Sequence, residues 1–231
     1  MPNNPLDAWV LVIAALALSL TVLSVYVSRV YLPAKIREAY RKSITTLAVA
    51  VETKDSGTVG HAQRVAHLTT ELARRLGMAG KELVRIEYAA LLRDIGKVKV
   101  PQRILNKTET LGDEEWATVQ RHSEFGAEMV EAVPFLASSA NLVRYHHEYW
   151  DGSGYPDGLA GEQIPLGSRI LSVAADYDAM VSERPYHPEA LGVEEALAQI
   201  RAGSGAKYDP RVVEVFIRVI EEERVPEQKA A

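Results

Sequence analysis

From Ala8 to Ser28 the chain carries no charged residue, 21 positions in a row. A helix of that length can cross a hydrocarbon core of roughly 30 Å. A buried core helix rarely runs so long without charge. A cleaved signal peptide wants a basic start, whereas Asp7 is the one charged side chain ahead of the run. Residues 1–32 therefore read as a transmembrane anchor, with the span at about 8–28. Behind it stand Arg29, Lys35, Arg37, Arg41 and Lys42 against a single Glu38. The positive-inside rule then predicts a single pass through the inner membrane of the cell, with the N-terminus outside and the rest cytoplasmic. Trp9, Tyr26 and Tyr31 lie near the two ends, where aromatic rings favour the interface.

Between Pro33 and Glu52 the apolar residues Ile36, Tyr40, Ile44, Leu47 and Val51 recur at steps of three and four, which predicts a helical stalk over 33–54. The stripe has two readings: a homodimer seam that carries a signal from the membrane, or a face packed on its own domain. Beyond residue 55 helical patterns follow one another without an alternating strand run, so the class is all-α. The expected helices are Val59–Leu76, Gly80 to about Asp94, Asp113–Val133, a short one leading into Tyr145, Ser168–Ser182, Val193–Ala202 and Pro210–Glu223. A domain over 55–222 and a polar, frayed tail over 223–231 complete the division. Five glycines and two prolines mark Asp151–Gly167 as a loop.

A formal charge of −5 argues against DNA or RNA polymers as partners, because these need a basic face to neutralise phosphates. With no cysteine, any metal must be held by nitrogen and oxygen donors, a set that suits Mn, Fe or Zn. Of six histidines, His61, His122, His146 and His147 sit at predicted helix ends beside other polar residues, while His67 and His187 have no evident company. A lone histidine is more often a surface or core residue than a ligand, so spacing by itself leaves both options open.

The ordered motifs narrow them. Gly60-His61-Ala62-Gln63-Arg64-Val65, Leu91-Leu92-Arg93-Asp94-Ile95-Gly96-Lys97, Arg121-His122-Ser123 and the long block from Tyr145-His146-His147-Glu148 through Gly154-Tyr155-Pro156 to Gly158 resemble the successive motifs of the HD-GYP family. Arg184-Pro185-Tyr186 follows in its usual place, and the resemblance runs from about Glu52 to Ile220. It implies an all-helical HD-superfamily hydrolase domain that binds two or three iron or manganese ions. Such domains cleave cyclic di-GMP to its linear dinucleotide or to GMP.

By the same resemblance one metal position would use His61, Asp94 and the residues at 93 and 175, and the other Asp94, His122, His146 and His147. Here position 93 is Arg where the family has His, and position 175 is Ala where it has Asp. A guanidinium offers only N–H donors and Ala has none, so the first set is halved and the second is intact. One or two ions are thus expected in an incomplete site. Asp176 is a candidate substitute ligand, but on a helix it points about 100° away from position 175; Asp178 matches an Asp that the family has in addition. Asp94 and Lys97 are the expected catalytic groups, and Arg93, Lys97, Arg169 and Arg184 are candidate phosphate contacts. Arg169 and Arg184 read equally well as ion pairs, and Arg64 as a group behind His61. The resemblance also makes Gly154, Tyr155 and Pro156 a loop for a diguanylate-cyclase (GGDEF-type) or other signalling partner, with Tyr155 and Trp150 as exposed aromatic contacts. Three functions follow as expectations: a weakened cyclic di-GMP phosphodiesterase, an inactive module binding nucleotide or partners, or a phosphohydrolase acting on another phosphoester.

Overall fold

A computed structural model describes residues 5–55, 60–107, 109–182 and 190–229, and they divide into two units at Ser43/Ile44. In the first unit, helix α1 (Pro5–Tyr26) is followed by a π-helical turn, Val27–Tyr31, and by the start of α2 (Leu32–Asp55). Trp9, Leu11, Ile13, Leu16, Leu20 and Leu23 are all exposed. Ser19 and Thr21 return their hydroxyls to the carbonyls of Ala15 and Ala17, at 2.9 and 2.8 Å. Polar groups in hydrocarbon must be satisfied within the segment, and these are. Among the described residues this is the one helix long and apolar enough to cross a membrane.

The second unit is all-helical. Its longer elements are the end of α2, α3 (His61–Arg75), α4 (Lys81–Leu92), α6 (Asp113–Gln120), α7 (His122–Glu131), α9 (Leu166–Val181), α10 (Val193–Ala202) and α11 (Pro210–Lys229), with the short helices α5 (Gln102–Leu105) and α8 (Ala140–Arg144). Among the described residues the only β pairing is an isolated bridge between Ser204 and Tyr208. In α3, Ala62, Val65, Ala66, Leu72 and Ala73 fall on one face and are buried, which packs the helix against α4 and α9. The core continues through Ile86, Ile170, Leu171, Leu197, Ile200 and Phe216. Helix α3 ends where Met78 N–H bonds back to Ala73 and Gly77 takes φ +87°, a left-handed cap.

The helix expected over Asp113–Val133 is two, broken at Arg121. The break coincides with side chains competing for backbone carbonyls: His122 Nδ1 donates to Val119 O at 2.7 Å and Ser123 Oγ to Gln120 O at 3.1 Å. Helix α11 continues to Lys229 rather than stopping at Glu223, so the backbone of the expected tail is helical over most of its length. The stalk stripe divides. Ile44, Ala48 and Val51 belong to the core of the second unit, whereas Ile36, Tyr40 and Leu47 are exposed.

Candidate metal centre

Three histidines converge. His122 opens α7, His146 and His147 follow α8, and one ring nitrogen from each lies within 4.8 Å of the others. Ring centroids are 5.4 Å apart for His122 and His146, 5.1 Å for His122 and His147, and 4.0 Å for His146 and His147. His122 and His146 are each 2% exposed. Each donates Nδ1–H to the backbone carbonyl three residues before it, His122 to Val119 at 2.7 Å and His146 to Val143 at 2.6 Å. A carbonyl can only accept, so Nδ1 carries the proton and Nε2 presents a lone pair. The buried Nε2 of His146 has no hydrogen-bond partner among the described residues. Burial, reinforced by the neighbouring His122, pushes His146 down to about 3, and burial with its two neighbours holds His147 well below the usual imidazole range. All this fits a divalent cation: neutral imidazoles, oriented tautomers and an orphaned donor atom.

Asp94 forms the rim. Its Oδ1 lies 3.0 Å from Lys97 Nζ and 3.9 Å from His122 Nε2, and its Oδ2 lies 3.1 Å from Arg93 Nε. Burial would raise this carboxyl, but Lys97, Arg93 and the histidines hold it well below the usual carboxylate range. Arg93 is itself buried, 3% exposed, and gives Nη1–H to Ala90 O at 2.9 Å. Its Nη2 is buried without a hydrogen-bond partner among the described residues. The cation at position 93 thus sits inside the protein beside the carboxylate of its own motif.

His61 stands outside the three-histidine group. Its Nδ1 is held by Asp178 Oδ2, and Asp178 in turn takes Arg64 Nε at 2.7 Å and Arg64 Nη2 at 2.9 Å. Burial would raise Asp178; His61 and Arg64 bring it down to about 2. Asp176 faces another way, its Oδ2 taken up by Lys207 Nζ at 2.8 Å and by the Tyr208 hydroxyl at 2.9 Å. Arg169 is partly buried, in an ion pair with the buried Asp209 at 2.7 Å, its guanidinium over the Trp150 ring. Arg184 and His187 lie outside the described residues.

Two glycines make the site possible by close approach. A Cβ on Gly96 would lie 1.9 Å from His122 O and 2.5 Å from Gly126 N, so only Gly lets the turn after Asp94 meet the start of α7. A Cβ on Gly154 would lie 2.3 Å from Tyr149 N and 2.5 Å from His147 O. The loop folds back through that gap, and Tyr155 stacks on His147 with centroids 4.7 Å apart. Tyr155 thus borders the histidine cluster and is only partly exposed, as is Trp150; the outward rim is formed by Asp151, Ser153, Asp157 and Gly158. Glu148, 3% exposed, fastens the loop by accepting Asp157 N–H at 2.8 Å and Leu159 N–H at 3.1 Å. Sequence reasoning gave no role to Glu148 or to Glu52; a glutamate next to a histidine pair was the available signal for the first.

Residues 45–212 match the family model described as HD domain. The chain is 39% identical over 186 residues to the cyclic di-GMP phosphodiesterase response regulator RpfG of Xanthomonas campestris, covering 80% of this chain and 49% of the relative. It is 41% identical over 174 residues to a cyclic di-GMP phosphodiesterase of Thermotoga maritima, covering 74% and 47%. Among solved structures, a cyclic GMP-AMP-specific phosphodiesterase of Vibrio cholerae shares the fold at TM-score 0.63 and 23% identity, over 80% of this chain and 49% of that one. The chain spans about half the length of these curated relatives. By the extent of the family match and by these identities, the chain belongs to the HD domain family and is related to its HD-GYP cyclic dinucleotide phosphodiesterases.

Proposed function

We propose that this chain binds cyclic di-GMP at the histidine cluster and hydrolyses it slowly, as a membrane-anchored phosphodiesterase with one of two metal positions disabled. The observation that carries this reading is the convergence of His122, His146 and His147, with Asp94 Oδ1 3.9 Å from His122 Nε2 and Arg93 buried against the same Asp94. A divalent ion there, iron or manganese, would polarise a phosphoryl oxygen and lower the pKa of a bound water. The chain's own residues do the rest. Lys97, beside Asp94, presents a charge for a phosphate oxygen, and Arg93 adds a fixed cation where a second ion would stand. A guanidinium cannot activate water as a metal does, so turnover falls on the order of 10²-fold or more, an effect of several kcal/mol. Asp176 is engaged by Lys207 and Tyr208, which speaks against its serving as the missing ligand. Arg169 is committed to Asp209, which favours a structural role over phosphate binding.

A second reading, nucleotide binding without turnover, draws on the same buried Arg93–Asp94 pair. The basic flank of α2 and the apolar α1 support a single-pass anchor with this unit in the cytoplasm. The exposed Ile36, Tyr40 and Leu47 fit a homodimer through the stalk, and the rim of the Gly154–Pro156 loop fits a GGDEF-type or other signalling partner. The test is a substrate panel on the full chain in detergent with Mn(II): cyclic di-GMP, 3′3′-cGAMP and a simple phosphodiester. Tight binding and slow cleavage of cyclic di-GMP are expected. Binding without cleavage favours the second reading, and preference for the simple phosphodiester overturns both.

A further inference from the structure

Helix α3 begins at His61 with no cap of its own. Its N-cap is Gly60, at φ +97°, and no side chain at that position bonds the first turn. The leading N–H groups of a helix have no partner within it and need one from elsewhere. Glu52, in the last turn of α2 and 7% exposed, supplies it: Oε2 accepts Gly60 N–H at 3.1 Å and Oε1 accepts Ala62 N–H. The two donors flank His61 in the chain. A carboxylate at a helix N-terminus is also favoured by the helix dipole.

We propose that Glu52 is a positioning residue for His61, through which the last turn of α2 sets one wall of the site. The proposal rests on the phosphodiesterase reading for its purpose and on geometry for its content. His61 is held at two points, through the backbone on either side of it by Glu52 and at its ring by Asp178. The turn that carries Glu52 is anchored in turn, because Ile44, Ala48 and Val51 are buried in the core. Val51, Glu52 and Ala62 line one small cavity together with Arg93 and Asp94, so the clamp lies against the motif that carries the altered ligand position. A shift of the last turn of α2 therefore carries the start of α3, and His61 with it.

The test is NMR on the full chain in detergent, labelled with ¹⁵N-histidine. The Nδ1–H of His61, bonded to Asp178, gives a downfield imidazole proton, identified by its loss in Asp178→Ala. The Nδ1–H groups of His122 and His146, bonded to carbonyls, give two reference signals. Glu52→Gln keeps the size of the side chain but sets an NH₂ against one of the two N–H donors. In Glu52→Gln and Glu52→Ala the His61 signal is expected to vanish while the two references persist. Persistence of the His61 signal in either variant overturns the proposal. Loss of all three together marks a general structural role and overturns it as well. Failure of the phosphodiesterase reading appears separately, as absent ion binding or cleavage in the unaltered chain, and leaves this readout intact.

Discussion

Arg93 and Asp94 are neighbours in sequence and an ion pair in space, with Arg93 Nε 3.1 Å from Asp94 Oδ2 and the arginine 3% exposed. The pair occupies one oxygen of the carboxylate that, in the HD-GYP resemblance, is shared by both metal positions. The other oxygen faces Lys97 and His122. Each oxygen of Asp94 thus faces a cation, Oδ2 the guanidinium of Arg93 and Oδ1 the ammonium of Lys97, and Oδ1 is the one turned toward the histidine cluster.

Removing a histidine of the cluster tests the ion directly. His122→Ala and His146→Ala are each expected to weaken Mn(II) binding by at least the roughly 10–100-fold that loss of a mere outer-shell partner produces. EPR of free Mn(II) measures it, with circular dichroism to confirm that the helices remain. His67→Ala, at a histidine outside the cluster, should leave Mn(II) binding unchanged.

Gly96→Ala is expected to destabilise the second unit by about 1–3 kcal/mol, the usual range for overpacking. The added Cβ would meet backbone atoms, His122 O at 1.9 Å and Gly126 N at 2.5 Å, which cannot swing aside as a side-chain end does. Thermal unfolding measures the loss, and Mn(II) affinity should fall with it because His122 must move.

Glu148→Gln should loosen the loop that carries Tyr155. Hydrogen bonds to a charged acceptor contribute about 1.5–3 kcal/mol, and this carboxylate takes two, from Asp157 and Leu159. Hydrogen exchange at those two amides is expected to quicken by roughly tenfold or more, while amides of α3 and α9 stay protected. Equal protection in both proteins would show that the loop is held by other means.

Membrane topology can be read by labelling, since the chain has no cysteine. A cysteine introduced at Asn3 should react with a membrane-impermeant maleimide on intact cells. One at the exposed Ser204 should react only after permeabilisation. The opposite pattern would contradict the orientation inferred from the basic residues after the apolar run.

Much of the fold was legible because helical periodicity and helix ends are local signals. The bounds of α10 match Val193–Ala202 as expected, and those of α9 differ by two residues at one end and one at the other. The break at Arg121 was not legible, since it arises where His122 and Ser123 bond nearby carbonyls and the apolar period runs on regardless. The stalk stripe could not be divided from sequence, because Ile44 and Val51 repeat with the same spacing as the exposed Ile36 and Tyr40. Within the site, motif order marked out the histidines that converge. The partners of other candidate residues were hidden by distance along the chain: Asp178 holds His61, which stands outside the cluster, across 117 positions, and Asp209 holds Arg169 across 40.

The most direct test of a site reduced to one ion is to rebuild the other position and count ions. The full chain is loaded with Mn(II), and metal content and cyclic di-GMP cleavage are measured for the natural sequence and for Arg93→His combined with Ala175→Asp. One ion per chain with slow or absent cleavage is expected for the natural sequence. Two ions and cleavage faster on the order of 10²-fold are expected for the double variant. Two ions already bound by the natural sequence, with cleavage abolished by Asp94→Ala, would contradict the assignment of Arg93 and Ala175 as the disabled half of the site.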